Sequence, residues 1–180
     1  DLAAQALYEF TWNEYCDWYL ELSKAALQSD DEAARAATRH TLLSVLETTL
    51  RAMHPIMPFI TEEIWQRLPV EREIESIMLA DYPRGGFPSD DESVGEIDLL
   101  KEIVYNIRNI RGEMHVPPEI KARVLVNEVR EGIEEIVREH GDTILFLAGL
   151  ESVECSRGME KPAGSAAAVG TGYEVYLPLK

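Results

Sequence analysis

The chain is predicted to be mostly α, an antiparallel helical bundle with a small appended α+β subdomain. Three observations carry that expectation. Apolar residues recur at helical spacing from Leu2 to Gln28, from Ala36 to Met53 and from Ile97 to Ile110. Alternation typical of strands is confined to the last third, beginning with Lys121-Ala-Arg-Val-Leu-Val-Asn127. Between these regions the composition turns acidic and rich in turn residues. The expected organisation is a helical bundle over 1–69, a connection over 70–96 and the α+β subdomain over 97–180.

Tyr8, Trp12, Tyr15, Tyr19, Leu22 and Ala26 are spaced four, three, four, three and four, so they form one face of a first helix. A stripe of this kind is expected to be core, with Trp18 lying off it. Ser29-Asp-Asp-Glu32 reads as a capping box that opens a second helix, with Ala36, Leu43, Leu46, Leu50 and Met53 inward. That helix is expected to stop at His54, because the residue before Pro55 is disfavoured in the α region. Thr61 is the expected cap of a third helix carrying Ile64, Trp65 and Leu68, and Met57 and Phe59 are expected to plug the bundle end.

Farther along, Ser76–Ala80 suggests a short extended piece, and Asp81 to Glu92 a turn-rich loop. A helix with Ile97, Leu100, Val104, Ile107 and Ile110 inward should be stopped by Gly112 and Pro117. Lys121 to Asn127 is the first strand, Val129 to Leu147 a helix, and Glu151–Ser156, Ala166–Val169 and Tyr173–Leu179 are further short strands.

At 180 residues with 46% hydrophobic content, the chain can bury a real core. No run approaches the roughly 18 apolar residues of a membrane span, and no secretory leader pattern opens the chain. Cys16 and Cys155 match no metal spacing and read as isolated packing thiols in a reducing compartment. No phosphate-binding glycine loop, metal-binding His pair or nucleophile elbow occurs. The formal net charge is −16, and the segments 1–69, 70–96 and 97–180 contribute −6, −6 and −4. No segment is basic, so any nucleic-acid contact must use a local patch or the bases themselves.

One such patch is visible. Lys101, Tyr105, Arg108 and Arg111 are spaced four, three and three on a single helix face, with Asn109 beside them. Arginine grips phosphate bidentately and stacks on bases, which makes these residues candidates for RNA contact. Pairing of Arg108 and Arg111 with Glu102 or Glu113 inside the fold is the competing reading. Trp18 is a further candidate for stacking on unpaired bases. Lys24, Arg35 and Arg39 line a weaker edge, and His40, His54, His115 and His140 are scattered singly.

Four stretches carry a family likeness. They are Phe10-Thr-Trp-Asn-Glu-Tyr-Cys-Asp-Trp-Tyr-Leu-Glu-Leu-Ser-Lys24, His54-Pro-Ile-Met-Pro-Phe-Ile-Thr-Glu-Glu-Ile-Trp65, Ser76-Ile-Met-Leu-Ala-Asp-Tyr-Pro83 and Ile107-Arg-Asn-Ile-Arg-Gly-Glu-Met-His-Val-Pro-Pro118. In this order they resemble the anticodon-binding region of class I aminoacyl-tRNA synthetases, with wording closest to the valine–tRNA ligases. The family's His-x-Gly-His and Lys-Met-Ser-Lys-Ser signatures are absent.

The resemblance therefore implies a non-catalytic piece, trimmed at both ends, of a cytoplasmic enzyme that attaches valine to its tRNA. ATP with Mg would act in the parent enzyme, and no cofactor or metal is expected in this piece. The implied partners are the anticodon stem-loop of a valine tRNA and the catalytic domain of the same polypeptide, with neither membrane nor DNA. Two other roles stay open: a scaffold with little RNA contact, and a standalone protein-interaction domain of the same fold.

Overall fold

A computed structural model describes residues 2–71, 73–85 and 90–178. The chain forms two compact units, Asp1–Pro88 and Ser89–Lys180. Gly86 to Ser89, within the expected turn-rich loop, and Leu179, the expected end of the last strand, lie outside the described residues.

The first unit opens with α1 (Leu2–Glu9), a π-helical segment (Phe10–Tyr19) and α2 (Leu20–Leu27). Two hydroxyls mark the changes of helix type. Thr11 Oγ1 donates to Leu7 O at 2.7 Å, and Ser23 Oγ donates to Tyr19 O at 2.6 Å. Such bonds compete with the regular ladder and bend helices. The wider π turn breaks the uniform stripe expected from α spacing. Tyr15 is buried and its hydroxyl donates to Leu42 O, but Tyr8 and Trp12 stack in parallel while mostly exposed.

Next come α3 (Glu32–Met53) and α4 (Pro58–Arg67). The cap of α3 is Asp31, whose carboxylate accepts from Ala33 N and Ala34 N, rather than Ser29. Ser29 Oγ instead accepts from Asp31 N. Of the expected inner residues Leu50 is buried, Leu43, Leu46 and Met53 are half-buried, and Ala36 is exposed. The helix does end at His54, but not because that residue leaves the α region: its φ is −55° and ψ −39°.

Pro58 occupies the first turn of α4, where its missing N–H costs nothing. Thr61 is therefore one turn inside the helix rather than its cap. Its hydroxyl lies 2.8 Å from Met57 O and 2.8 Å from His54 Nδ1, locking the α3–α4 turn. With Thr61 and Trp65 turned inward, Phe59 is carried to the far side of α4. Phe59 is 89% exposed and Met57 and Ile64 are also exposed, so the expected apolar plug and inward Ile64 are not formed.

The core of this unit is Leu50, Trp65 and Ile77, with Leu46 and Leu68 packed against it. Trp65 is only 2% exposed, and its Nε1 donates to Glu47 Oε1. Arg51 binds Glu47 and donates to Asp81 O at 2.8 Å, which ties the following segment back to α3. Ser76–Ala80 is a 3-10 turn over Ile77–Leu79 rather than an extended piece, because Ser76 caps it and Ile77 is drawn into the core.

The second unit is built on α5 (Asp91–Glu113), which begins at a cap on Asp90. Leu100, Ile103, Val104, Ile107 and Ile110 are buried along it, and Ile97 near its start is exposed. Its end uses His115 at φ 54°. Val116 N bonds Arg111 O and His115 N bonds Gly112 O, the pairing of a Schellman motif. His115, rather than Gly112, takes the left-handed position.

The sheet has strand order β2-β1-β4-β3, from β1 (Ala122–Glu128), β2 (Leu150–Arg157), β3 (Ser165–Gly170) and β4 (Tyr173–Pro178). β1 and β2 are parallel, and β4 runs antiparallel to β1 and β3. The crossover holds two helices, α6 (Ile133–Glu139) and α7 (Gly141–Ala148), where one was expected. Glu128 explains the late start: its carboxylate accepts from Gly132 N and Glu134 N, so residues 129–132 are turn and α6 begins only at Ile133. Gly141 then starts α7 afresh. On the helix-facing side, Gly170 is opposite Tyr173, whose ring would lie 2.1 Å from any added Cβ. Tyr173 is fully buried, and its hydroxyl accepts from Asn106 Nδ2 at 2.9 Å.

Glu62 gives the first unit a pH-sensitive clasp. Its carboxylate accepts from Gln66, from Ser76 Oγ and from Ile77 N. The Gln66 amide and then the Ser76 hydroxyl hold it below the ordinary carboxylate value. A lowered folded value stabilises the clasp above the unfolded pKa, and that stabilisation is lost as pH falls through the lowered value. The protection of the Ile77 amide, measured against its intrinsic exchange rate at each pH, is expected to fall on acidification across that range. That protection should already be low at neutral pH in Glu62→Ala, with the difference between the two proteins vanishing in acid.

Candidate nucleic-acid interface

The cluster expected on one face of α5 is divided by the fold into four settings. Tyr105 and Asn109 point outward, and Tyr105 is 60% exposed. Lys101 is half-buried, with Nζ 3.7 Å from Asp98 Oδ1. Arg108 runs along the seam with α7: its Nε and Nη2 donate to Leu147 O at 3.0 and 2.7 Å. Arg111 turns inward and is only 7% exposed.

Among the described residues the acceptors that Arg111 meets are backbone carbonyls. Nη1 donates to Ala148 O at 3.1 Å and to Gly149 O, and Nη2 donates to Pro117 O at 3.2 Å and Ile120 O at 2.9 Å. The last carbonyls of a helix have no partner within it, and a cation there also meets the negative end of the helix dipole. Arg111 therefore closes the end of α7 and fixes the 117–120 turn with one planar group. Neither expected carboxylate, Glu102 nor Glu113, is its partner among the described residues. Glu102 accepts instead from Thr171 N and Oγ1. Backbone carbonyls give no sequence signal, which is why this role was not legible beforehand.

Trp18, the candidate in the first unit, is half-buried on the π segment. The weaker edge is neutralised: Lys24 pairs with Glu21, and Arg35 and Arg39 with Glu32. Arg123, Arg138 and Arg157 likewise pair with Glu154, Glu135 and Glu128. Among the described residues no group of three or more His, Cys, Asp or Glu could hold a metal ion, and no helix is long and apolar enough to cross a membrane. Cys155 is half-buried with its thiol pushed up to about 11, first by burial and then by Glu128 and Glu134, which makes it a poor nucleophile.

Residue Phe146 of α7 is missing from the sequence-derived set, yet it is 58% exposed. In Thr143-Ile-Leu-Phe-Leu-Ala148 it reads as one more core residue. The available signal was its offset: Ile144, Leu147 and Ala148 are buried on one face of α7, and Phe146 lies off it.

The profile of the anticodon-binding domain of tRNA ligases matches residues 1–126. The chain belongs to this family. Similar proteins include the valine–tRNA ligases of Geobacter sulfurreducens, 41% identical over 99% of this chain, and Carboxydothermus hydrogenoformans, 42% identical over 99%. That of Laribacter hongkongensis is 49% identical over 70%. The chain spans about a fifth of the first two relatives' length and 14% of the third's. Within the anticodon-binding domain as matched lie the π segment, the α3–α4 turn and all of α5; α6, α7 and β2–β4 fall beyond it.

Replacing Arg111 by Met is expected to destabilise the second unit by about 1–3 kcal/mol, since the buried carbonyl of Ala148 and its neighbour Gly149 O lose their side-chain donor. Arg111→Lys should not restore it, because an ammonium lacks the planar fork. Denaturant unfolding followed by circular dichroism checks both, and a near-native midpoint for Arg111→Lys would contradict the role given to the guanidinium.

Proposed function

We propose that this chain is the part of a valine–tRNA ligase that holds the anticodon stem-loop of a valine tRNA. The observation that carries the proposal is the match of the anticodon-binding domain over 1–126 together with similarity, over nearly the whole of this chain, to about a fifth of several valine–tRNA ligases. In this reading the parent enzyme joins valine to tRNA with ATP and Mg in the cytoplasm. The chain itself contributes no catalytic group: its 180 residues contain neither nucleotide-binding signature of the family. The catalytic domain of the same polypeptide is its protein partner, and codon identity is passed to that domain by holding the stem-loop in a fixed pose.

A scaffold role with little RNA contact is the second reading. It is favoured by the burial of Arg111 and by a net charge of −16. The two differ in what they predict for RNA. Titration of the protein with a valine anticodon stem-loop at low and moderate salt is expected to show binding with a shallow salt dependence, as few phosphates are neutralised. Arg108→Ala should weaken it. No binding at low salt would exclude the RNA-holding reading and leave the scaffold.

A further inference from the structure

Arg108 and Arg111 hold the later turns of α5 against α7, but its earlier turns do not close onto α6 in the same way. A cleft of about 580 Å³ lies between them. Leu99 of α5 and Ile133 and Ile136 of α6 line it. Ile133 is buried and the other two are half-buried, so together they form an apolar floor. On the α5 wall Glu92, Glu96, Leu99 and Glu102 follow one another at helical spacing. Glu131 and Glu135 stand exposed on the opposite wall.

Gly95, one turn inside α5, also lines the cleft. Glycine within a helix destabilises it relative to alanine. Nothing inside the second unit requires a glycine here: no atom lies within 4 Å of the place a Cβ would take, and the backbone is not left-handed. Across the cleft Gly132 is equally open. Wall residues without side chains let another backbone approach closely.

The charge of the rim limits what can enter. Asp98 and Glu135 have Lys101 and Arg138 as partners, but Glu92, Glu96 and Glu131 form no ion pair among the described residues. Arg130 is the cation in the lining, and its stem packs against Gly172. A polyanion is repelled from such a rim, and a cation is drawn to it. Both walls are helices rather than strand edges, so the groove reads side chains and not a backbone ladder. Apolar side chains on the floor, Lys or Arg at the rim and a backbone over Gly95 are together the contacts of a helix laid in a groove.

We propose that the cleft between α5 and α6 docks an amphipathic helix of another protein chain, apolar along one stripe and flanked by Lys or Arg. The charge complementarity of the rim selects this occupant, and the site is independent of the RNA-holding reading.

The test titrates the full chain, isotope-labelled, with a synthetic helix of Leu and Lys about 15 residues long, Leu on one stripe and Lys beside it. Amide shifts are expected at Gly95, Glu96, Leu99, Gly132 and Ile136. The same peptide shuffled so that the stripe is lost is expected to bind far more weakly. Gly95→Leu fills the wall while favouring the helix. It should weaken binding about 5- to 100-fold without lowering the unfolding temperature. Glu96→Lys should weaken binding about 2- to 5-fold. Glu151→Lys, the same change of charge on β2, should leave it unaltered. Equal binding of the shuffled peptide, full affinity in Gly95→Leu or an equal loss in Glu151→Lys would each overturn the site. Shifts lying outside the cleft, or no binding at all, would overturn it too, and each of these results leaves the stem-loop titration to be judged by itself.

Discussion

The second unit depends on one side chain meeting several carbonyls. Arg111 reaches from α5 to the end of α7 and to the turn that leads into β1. The carbonyls of Ala148 and Gly149 lie at the end of α7, where the helix offers them no further donor, and a buried unpaired acceptor costs about 1–3 kcal/mol. A guanidinium has enough donors in one plane to serve them together. Its position also determines what its neighbours do. With Arg111 turned inward, Arg108 lies along the α5–α7 seam and Tyr105 faces out.

The same logic governs the first unit on a smaller scale. Among the described residues its buried apolar cluster is Leu50, Trp65 and Ile77, with Tyr15 buried apart from it, and polar clasps do much of the positioning. Glu47 holds Trp65 and Arg51, Arg51 holds Asp81 O, and Glu62 holds Ser76 and Ile77. Short side chains set where helices start, turn or change pitch: Asp31, His54 with Thr61, Thr11 and Ser23. Aromatic residues that a larger core would absorb are left at the surface, among them Trp12 and Phe59.

Much of this was legible in the sequence. The 3.6-residue stripe from Leu100 to Ile110 is buried as read, and the strand runs at Ala122, Leu150, Ser165 and Tyr173 form one sheet. The errors share a physical origin. Helix periodicity assumes a constant turn, and the π segment around Tyr15 breaks that assumption. Capping rules name several acceptable residues, so Asp31 displaced Ser29, while Pro58 starts α4 three residues before the expected cap Thr61. At the candidate interface, Tyr105, Arg108 and Asn109 emerge on or beside an accessible face. Arg111 was assigned to that face because a side chain serving backbone carbonyls leaves no complementary residue to read, and Phe146 was hidden in an apolar run.

Chemical-shift mapping of the protein with a valine anticodon stem-loop tests the central claim, that Arg111 is committed to the fold and only the exposed part of the α5 cluster is left for RNA. The predicted result is a footprint on the Tyr105 ring and the side-chain amide of Asn109 that leaves the Arg111 guanidinium unshifted. Shifts confined to the first unit, or none at saturating RNA, would contradict it.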